Sequence, residues 1–369
     1  MYTYNRLYIN HHTNLTHFLF VILLLSLLIA FDTPKKRINT SNDDDDENGK
    51  EDINKLNAMN TIDIDQYYQQ DDLVGKNKSN KYSVLQNANR DRVRMKPFPH
   101  VVIENALPEE IYRELEEAYP TYLDVLKVAK PNRIERIKEN TRVDMRASMI
   151  LGRGQKYECA KVWREFVEYH ASRSFFEEVI DLFGEDLFRK YHGALEKKYK
   201  KKLRDLATEV RLMSSKKNPA PITLDAQIGV NTPVRKGASR VRGLHVDNAH
   251  EIYAGLLYFK DENDPATGGN LEIFECLKGA GKCEEYTEYE RKIHREKVGF
   301  DVQFKNLGDF RKIDEIPYAK NQFILFINSP SSYHAVTPRT SSVYPRRLVN
   351  VAGNEYYERE TNDLDGNMK

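Results

Sequence analysis

The stretch GLHVDNAHEIYAGLLYF, residues 243 to 259, sets a histidine and an aspartate two residues apart at the mouth of an apolar run. In an extended segment, residues two apart point to the same face, so His245 and Asp247 present an imidazole and a carboxylate to one point. A metal site needs a third ligand from a strand that folds back alongside. SPSSYHAVTP supplies His334 directly after the apolar run FILFIN. Two histidines and one carboxylate on one face, with the opposite positions open, suit non-haem ferrous iron. A histidine near a carboxylate is common by accident. The order HxD, strand, Gly-Gly turn, strand, His, arginine-bearing strand is much more specific.

The open positions of such a site take a bidentate 2-oxo acid and then dioxygen. The far carboxylate of the acid needs a cation, and a guanidinium matches it with two hydrogen bonds. Arg346 and Arg347 lie in RRLVNVAG. If Arg346 faces in, so do Leu348 and Asn350, while Val349 and Val351 pack outward against helices. If Arg347 faces in, Asn350 is pushed into the outer apolar layer. Alternation therefore favours Arg346, with Arg339 expected in a loop. Tyr258 shares the parity of Ala254 and Leu256, so its hydroxyl either reaches the oxo acid or belongs to the core. Asn248, His250 and Tyr253 follow the HxD. They are candidate substrate contacts, or members of an exposed polar loop. Asn231 in GVNTPV is a further candidate, and His170 on an apolar helix face reads as a structural histidine.

The elements that must position these residues begin after a largely polar N-terminal quarter. LTHFLFVILLLSLLIAF, residues 15 to 31, is apolar enough for a membrane anchor, or for a signal segment cleaved near Ala30. Residues 1–31 are read as that segment, residues 32–95 as a disordered polar stem, 96–210 as a helical support region, 211–357 as the β-rich core and 358–369 as a flexible tail. Arg6 precedes the apolar run and Lys35, Lys36 and Arg37 follow it, a bias toward a cytosolic C-terminal bulk. The stem carries sequons at Asn39 and Asn77 and the tripeptide DID at 63 to 65. With 57 basic and 56 acidic residues the chain offers no electrostatic case for nucleic acid. Three cysteines are too few for a disulfide scaffold; Cys276 and Cys283 are either thiols or one hairpin bridge.

Val101 to Ile103 reads as a strand, and Pro108 opens a helix with Ile111, Leu115 and Ala118 on its buried face. Residues 160–183 read as one helix stopped at Gly184, and 185–207 as a charged third helix. From about residue 222 the pattern turns to short β-branched and aromatic runs: ITLDAQIGVNTP, EIYAGLLYFK, NLEIFE, VGFDVQF, NQFILFIN and RRLVNVAG. Gly268 and Gly269 mark a turn between two of them. Helices followed by such a β-unit give an α+β chain whose strands form a sandwich or barrel.

With these residues in view, the chain resembles the Fe(II)- and 2-oxoglutarate-dependent oxygenases, in particular the prolyl 4-hydroxylase-like branch. HVDNAHEIYAGLLYFKDENDPATGGNLEIF is similar to the first metal-binding segment of the oxygen-sensing prolyl hydroxylases, and FPHVVIENALPEEIYREL to the strand-helix opening of such oxygenases. The resemblance covers residues 96 to 357 and is strongest from 243 to 352. It implies a double-stranded β-helix, or jelly roll, buttressed by N-terminal helices. By position, His245, Asp247 and His334 match the iron ligands, Tyr258 a tyrosine that contacts 2-oxoglutarate, and Leu271 an apolar wall of that pocket. The basic anchor falls on Arg346 or Arg347, slightly further from His334 than is usual in the family.

The implied cofactors are Fe(II), 2-oxoglutarate and dioxygen, with ascorbate as a candidate accessory. The implied reaction is hydroxylation coupled to decarboxylation of the oxo acid to succinate. The expected partner is a protein or peptide substrate, with glycans and small molecules as alternatives. The expected location is a single-pass membrane protein, on the lumenal or cytosolic side, or a secreted one if the segment is cleaved. Two other readings stand beside this: an anchored glycosyltransferase resting on DID, and a non-catalytic jelly-roll binding module.

Overall fold

The computed structural model describes residues 80–129, 138–152, 157–213, 219–277, 282–294 and 301–357. The apolar segment at 15–31, both sequons, the DID tripeptide and the tail at 358–369 lie outside the described residues. Among the described residues no helix is long and apolar enough to cross a membrane.

Strands β1 (His100–Glu104), β2 (Arg142–Met145), β3 (Thr208–Val210), β4 (Ile222–Asn231), β5 (Ala238–Ser239), β6 (His245–Val246) and β7 (Glu251–Tyr258) come first. They are followed by β8 (Leu271–Cys276), β9 (Val302–Gln303), β10 (Phe310–Ile316), β11 (Gln322–Ile327), β12 (His334–Val336), β13 (Arg339–Thr340) and β14 (Arg346–Glu355). The helices are α1 (Glu109–Glu117), α2 (Tyr122–Ala129), α3 (Ala147–Leu151), α4 (Lys161–His170), α5 (Arg173–Phe183), α6 (Glu185–Tyr199) and α7 (Lys282–His294).

The larger sheet runs β1-β11-β7-β14-β4-β2, with β3 alongside β4, and the smaller runs β10-β8-β12-β6-β9. From β4 onward, β4, β7, β11 and β14 lie in the larger sheet and β6, β8, β9, β10 and β12 in the smaller, so the chain crosses repeatedly between the two. Their inner faces meet where Ala254, Ile324 and Phe326 of one sheet pack with Leu271, Ile273 and Ile316 of the other. This mixed α/β arrangement, with two large sheets that are antiparallel apart from the β3–β4 pair, is consistent with a jelly roll.

β4 shows what organises the molecule. Its sequence alternates apolar and polar, yet all ten residues are buried. Alternation ordinarily marks one wet face. Here Ile222, Leu224, Ala226, Ile228 and Val230 join the core shared with the helices, and the polar set is enclosed between the sheets. The same core holds Val349 and Val351 of β14 and an aromatic cluster in which Trp163 touches Tyr119, Phe166 and Phe259. Trp163 donates its indole N–H to the Leu115 carbonyl at 3.0 Å, so its one polar atom is satisfied at the centre of an apolar layer. Gly255 and Gly353 bring β7 and β14 under large rings. A Cβ on Gly255 would stand 2.6 Å from Phe323.

Several expected elements differ. The single helix over 160–183 is two, α4 and α5, because Ser172 caps the second: its hydroxyl accepts from the Phe175 N–H and donates to the Tyr169 carbonyl at 2.7 Å. The charged helix over 185–207 ends at Tyr199, where Lys200 turns left-handed at φ 52°. VGFDVQF is strand only at Val302–Gln303 among the described residues. α7, β2 and β10 were not anticipated, since charged or mixed runs such as KCEEYTEYERKIH and FRKIDEI lack a clean period. Cys276 and Cys283 form a disulfide that joins the end of β8 to the start of α7. Cys159 is free.

His170 is structural. It is wholly buried, with Nδ1 at 2.8 Å from the Phe166 carbonyl and Nε2 accepting from the Val84 N–H at 3.4 Å. Burial pushes its pKa down to about 3. A folded pKa below the unfolded value of about 6.5 means the unfolded chain binds the extra proton. Stability from this residue is therefore complete above about pH 6.5 and falls by about 1.4 kcal/mol per pH unit toward pH 3. Denaturant titrations across that range should show a shallower acid decline in His170→Leu than in the wild type, although the variant is less stable at pH 7.5.

Candidate metal and oxo-acid site

The smaller sheet sets the two histidines side by side, because β12 pairs with β6 in the register His334↔His245. Asp247 lies two residues beyond, on the same side as His245. Its carboxylate oxygens stand 3.4 Å from His245 Nε2 and 3.5 Å from His334 Nε2. The imidazole centroids are 4.1 Å apart. One donor atom from each of the three residues falls within 4.8 Å of the others. The chain thus brings together the three residues expected as ligands.

Both histidines are oriented by the same local device. His245 Nδ1 is 2.8 Å from the Gly243 carbonyl, and His334 Nδ1 is 2.9 Å from the Ser332 carbonyl. A carbonyl can only accept, so each Nδ1 carries the proton and each Nε2 offers a lone pair. Burial, reinforced by His245, pushes the His334 pKa down to about 4, leaving a neutral imidazole at pH 7. Burial alone would raise the pKa of Asp247. His334, His245 and Arg242 outweigh it and hold the carboxyl below the usual range. Two imidazole lone pairs and an ionised carboxylate fit a divalent first-row ion with open positions.

The two arginines of β14 separate as alternation requires. Arg346 is 2% exposed. Its Nε donates to the Gly269 carbonyl at 2.9 Å, and its guanidinium lies 4.9 Å from the Tyr258 ring and 5.0 Å from that of Tyr318. Its Nη2 and the Tyr258 hydroxyl are both buried without a hydrogen-bond partner. Gly269, at φ +76°, keeps the arginine's path clear, since a Cβ there would sit 3.2 Å from Arg346 Cδ and Nε. Leu271 lies on the inner face with Ile273 and Ile324, as part of an apolar wall. Arg347 points to the other side. Its Nε donates to the Phe259 carbonyl at 3.0 Å, and its Nη2 meets Glu116 at 3.3 Å and Asp261 at 3.5 Å. It is not part of the enclosed site, because adjacent residues of a strand face opposite ways.

Other expectations are corrected. Arg339 is not a loop residue. It lies in β13, 2% exposed, with its guanidinium 2.7 Å from the buried Asp264 carboxylate. Tyr253 faces the helices and stacks on Phe176 at 6.3 Å, so it does not reach the site. His250 is buried against Tyr357, with ring centroids 4.4 Å apart, and its Nδ1 is 3.6 Å from Glu355. Asn248 accepts the His250 N–H on its side chain at 2.9 Å. These residues brace the segment after Asp247 instead of forming an exposed loop.

The brace centres on Asn328, which sequence reading missed. Its Nδ2 donates to the Asn248 and Glu251 carbonyls at 2.7 and 2.9 Å. Its Oδ1 accepts from Ser332 Oγ at 3.1 Å and from Arg291 Nη2 at 2.9 Å. Arg291 also reaches the Asp247 carbonyl, at 3.2 Å. One buried amide therefore ties the segment carrying Asp247 to the segment carrying His334. The only signal in the sequence is a polar residue ending the apolar run FILFIN.

No protein-family model matches the chain, and no curated protein matches it. Solved structures do. A Pseudomonas putida prolyl-4-hydroxylase is 10% identical and has a TM-score of 0.34, over 70% of this chain and 92% of that one. A Trichoplax adhaerens prolyl hydroxylase, solved in complex with a hypoxia inducible factor peptide fragment, is 12% identical with a TM-score of 0.33, over 71% of this chain and 86% of its own. A putative oxygenase from Shewanella oneidensis is 12% identical with a TM-score of 0.36, over 78% of this chain and 92% of its own.

Removing the groups that orient metal-binding side chains usually lowers metal affinity about 10–100-fold. Asn328→Leu should weaken Mn(II) binding by that amount while the protein stays folded, as titration followed by electron paramagnetic resonance would reveal.

Proposed function

We propose that the chain is an Fe(II)- and 2-oxoglutarate-dependent dioxygenase that hydroxylates a prolyl or other protein side chain. The observation that carries the reading is the convergence of His245 Nε2, His334 Nε2 and the Asp247 carboxylate within 4.8 Å, with the buried guanidinium of Arg346 on the facing sheet.

His245, Asp247 and His334 would hold the ion by those atoms. A ferrous ion there would supply the redox chemistry that turns 2-oxoglutarate, dioxygen and a substrate C–H into succinate, carbon dioxide and an alcohol. Arg346 Nη2 and the Tyr258 hydroxyl offer two buried donors to the far carboxylate of the oxo acid. Tyr258 donates as a neutral phenol, because burial, opposed by Arg346, raises its pKa. Leu271 and Ile273 exclude water from one side of the acid, which strengthens the Arg346 contact. The Gly243 and Ser332 carbonyls keep both imidazoles in the tautomer that binds metal. Arg347 serves stability through Glu116 and Asp261. A protein substrate is supported by the resemblance of residues 243–352 to the prolyl hydroxylase-like branch. The apolar run at 15–31 supports attachment to a membrane.

The purified protein should bind Fe(II) and convert 2-oxoglutarate slowly to succinate without added substrate, and His334→Ala should lower that turnover at least 100-fold. Wild-type turnover in His334→Ala would overturn the assignment. Arg346→Ala should raise the KM for 2-oxoglutarate at least tenfold, against less than threefold for Arg347→Ala. In cell fractionation, deleting residues 1–31 should move the protein from the alkali-resistant membrane pellet to the supernatant.

A further inference from the structure

Three neighbouring strands set a row of polar residues across the inner face of the larger sheet. Arg142 of β2 is opposite Asn231 of β4, and Asn231 is opposite Arg346 of β14. Opposed residues of an antiparallel pair project to the same side. All three side chains therefore enter the space that holds the triad.

Arg346 already has a task; the other two do not. Asn231 is 1% exposed, and neither its Oδ1 nor its Nδ2 has a partner. Arg142 gives its Nε to both oxygens of Asp144, at 3.0 and 3.2 Å, while its Nη2 is buried with none. Asp144 itself fits only because residue 229 is glycine, whose missing Cβ leaves room for the Asp144 carboxylate. The Arg142 charge is felt by Tyr258 and Arg346 on one side, and it feels Asp247 and Glu251 on the other. The guanidinium is thus within electrostatic reach of both the oxo-acid end and the triad.

A buried polar atom without a partner costs about 1–3 kcal/mol, and three on two facing residues mark a place for a ligand. Its chemistry follows from the surroundings. Asp144 already neutralises Arg142 at 3.0 Å, so a further carboxylate would meet no unbalanced cation on this residue. A neutral group with one strong acceptor and one donor fits. The amide edge of Asn231 complements a peptide C=O and N–H, and Arg142 Nη2 adds a second donor to the carbonyl.

We propose that Arg142 and Asn231 are the specificity-determining pair that grips a peptide group of the substrate next to the oxidised carbon. This rests on the oxygenase reading and assigns the recognition of its polypeptide substrate to contacts with the main chain.

The test is calorimetric binding to the full chain loaded with Mn(II) and 2-oxoglutarate. The probes are N-acetyl-L-proline methylamide, which has peptide groups on both sides of the ring, and N-acetyl-L-proline, which ends in a carboxylate. The wild type should bind the methylamide at least tenfold more tightly than the acid. Arg142→Met and Asn231→Leu should each erase that preference, while the Kd for 2-oxoglutarate moves less than threefold. Tighter binding of the acid would overturn the proposal in favour of an anion site. An equal loss of 2-oxoglutarate affinity would assign the pair to the oxo acid instead. Failure of the methylamide to bind a protein that does bind 2-oxoglutarate would sink the peptide reading alone, whereas failure to bind 2-oxoglutarate would sink the oxygenase reading with it. Should Asn231→Leu not fold, as judged by near-ultraviolet circular dichroism, Arg142→Met carries the comparison.

Discussion

The backbone register that places His334 against His245 between β12 and β6 governs the chemistry of this chain. A strand has a side-chain period of two, so a slip of one residue would turn either imidazole to the opposite face. The register is held from both sides. β12 also pairs with β8, where His334 meets Ile273 and Val336 meets Leu271, and those partners are inner-face core residues. The apolar packing that closes the sandwich therefore fixes the ligand geometry as well.

The second constraint is the enclosed polar face of the larger sheet. Burying polar side chains on β4 and its neighbours is unfavourable unless each finds a partner. Some do. Asp225 accepts from the Ala147 N–H at 2.9 Å and from Gln227 at 2.7 Å. Among those left over, Arg346, Tyr258, Asn231 and Arg142 lie together at one end of the sheet, and Thr223 and Asn354 at the other. Stability is supplied by the opposite, apolar face and by the helices. The sheet thus separates a packed layer that folds the protein from a polar layer that is complete only with its ligands.

Much of the candidate site was legible because it depends on local rules. HxD on an extended segment puts two side chains on one face whatever the fold. Alternation along RRLVNVAG separated Arg346 from Arg347 without knowledge of the partner strands. The illegible parts depend on contacts between distant segments. Asn328 looked like the end of a strand, and its side chain bonds to Asn248, Glu251 and Arg291, all far from it in the chain. Arg339 looked like loop because its burial depends on Asp264, which sits in a different turn. β10 and α7 were invisible because their outward faces are charged and blur the period that betrays a strand or a helix.

By itself the sequence determined the identity of the candidate donors, the parity of each strand and the apolar runs that had to become sheets, since in an extended strand neighbours i and i+2 share a face in any context. Only the tertiary structure decided which strands became neighbours. It set Arg142 and Asn231 beside Arg346, buried Arg339 on Asp264, joined Cys276 to Cys283 and tied both ligand segments to Asn328. Those choices follow from the pairing and packing of the whole sandwich, where the free energy of one contact depends on every register around it.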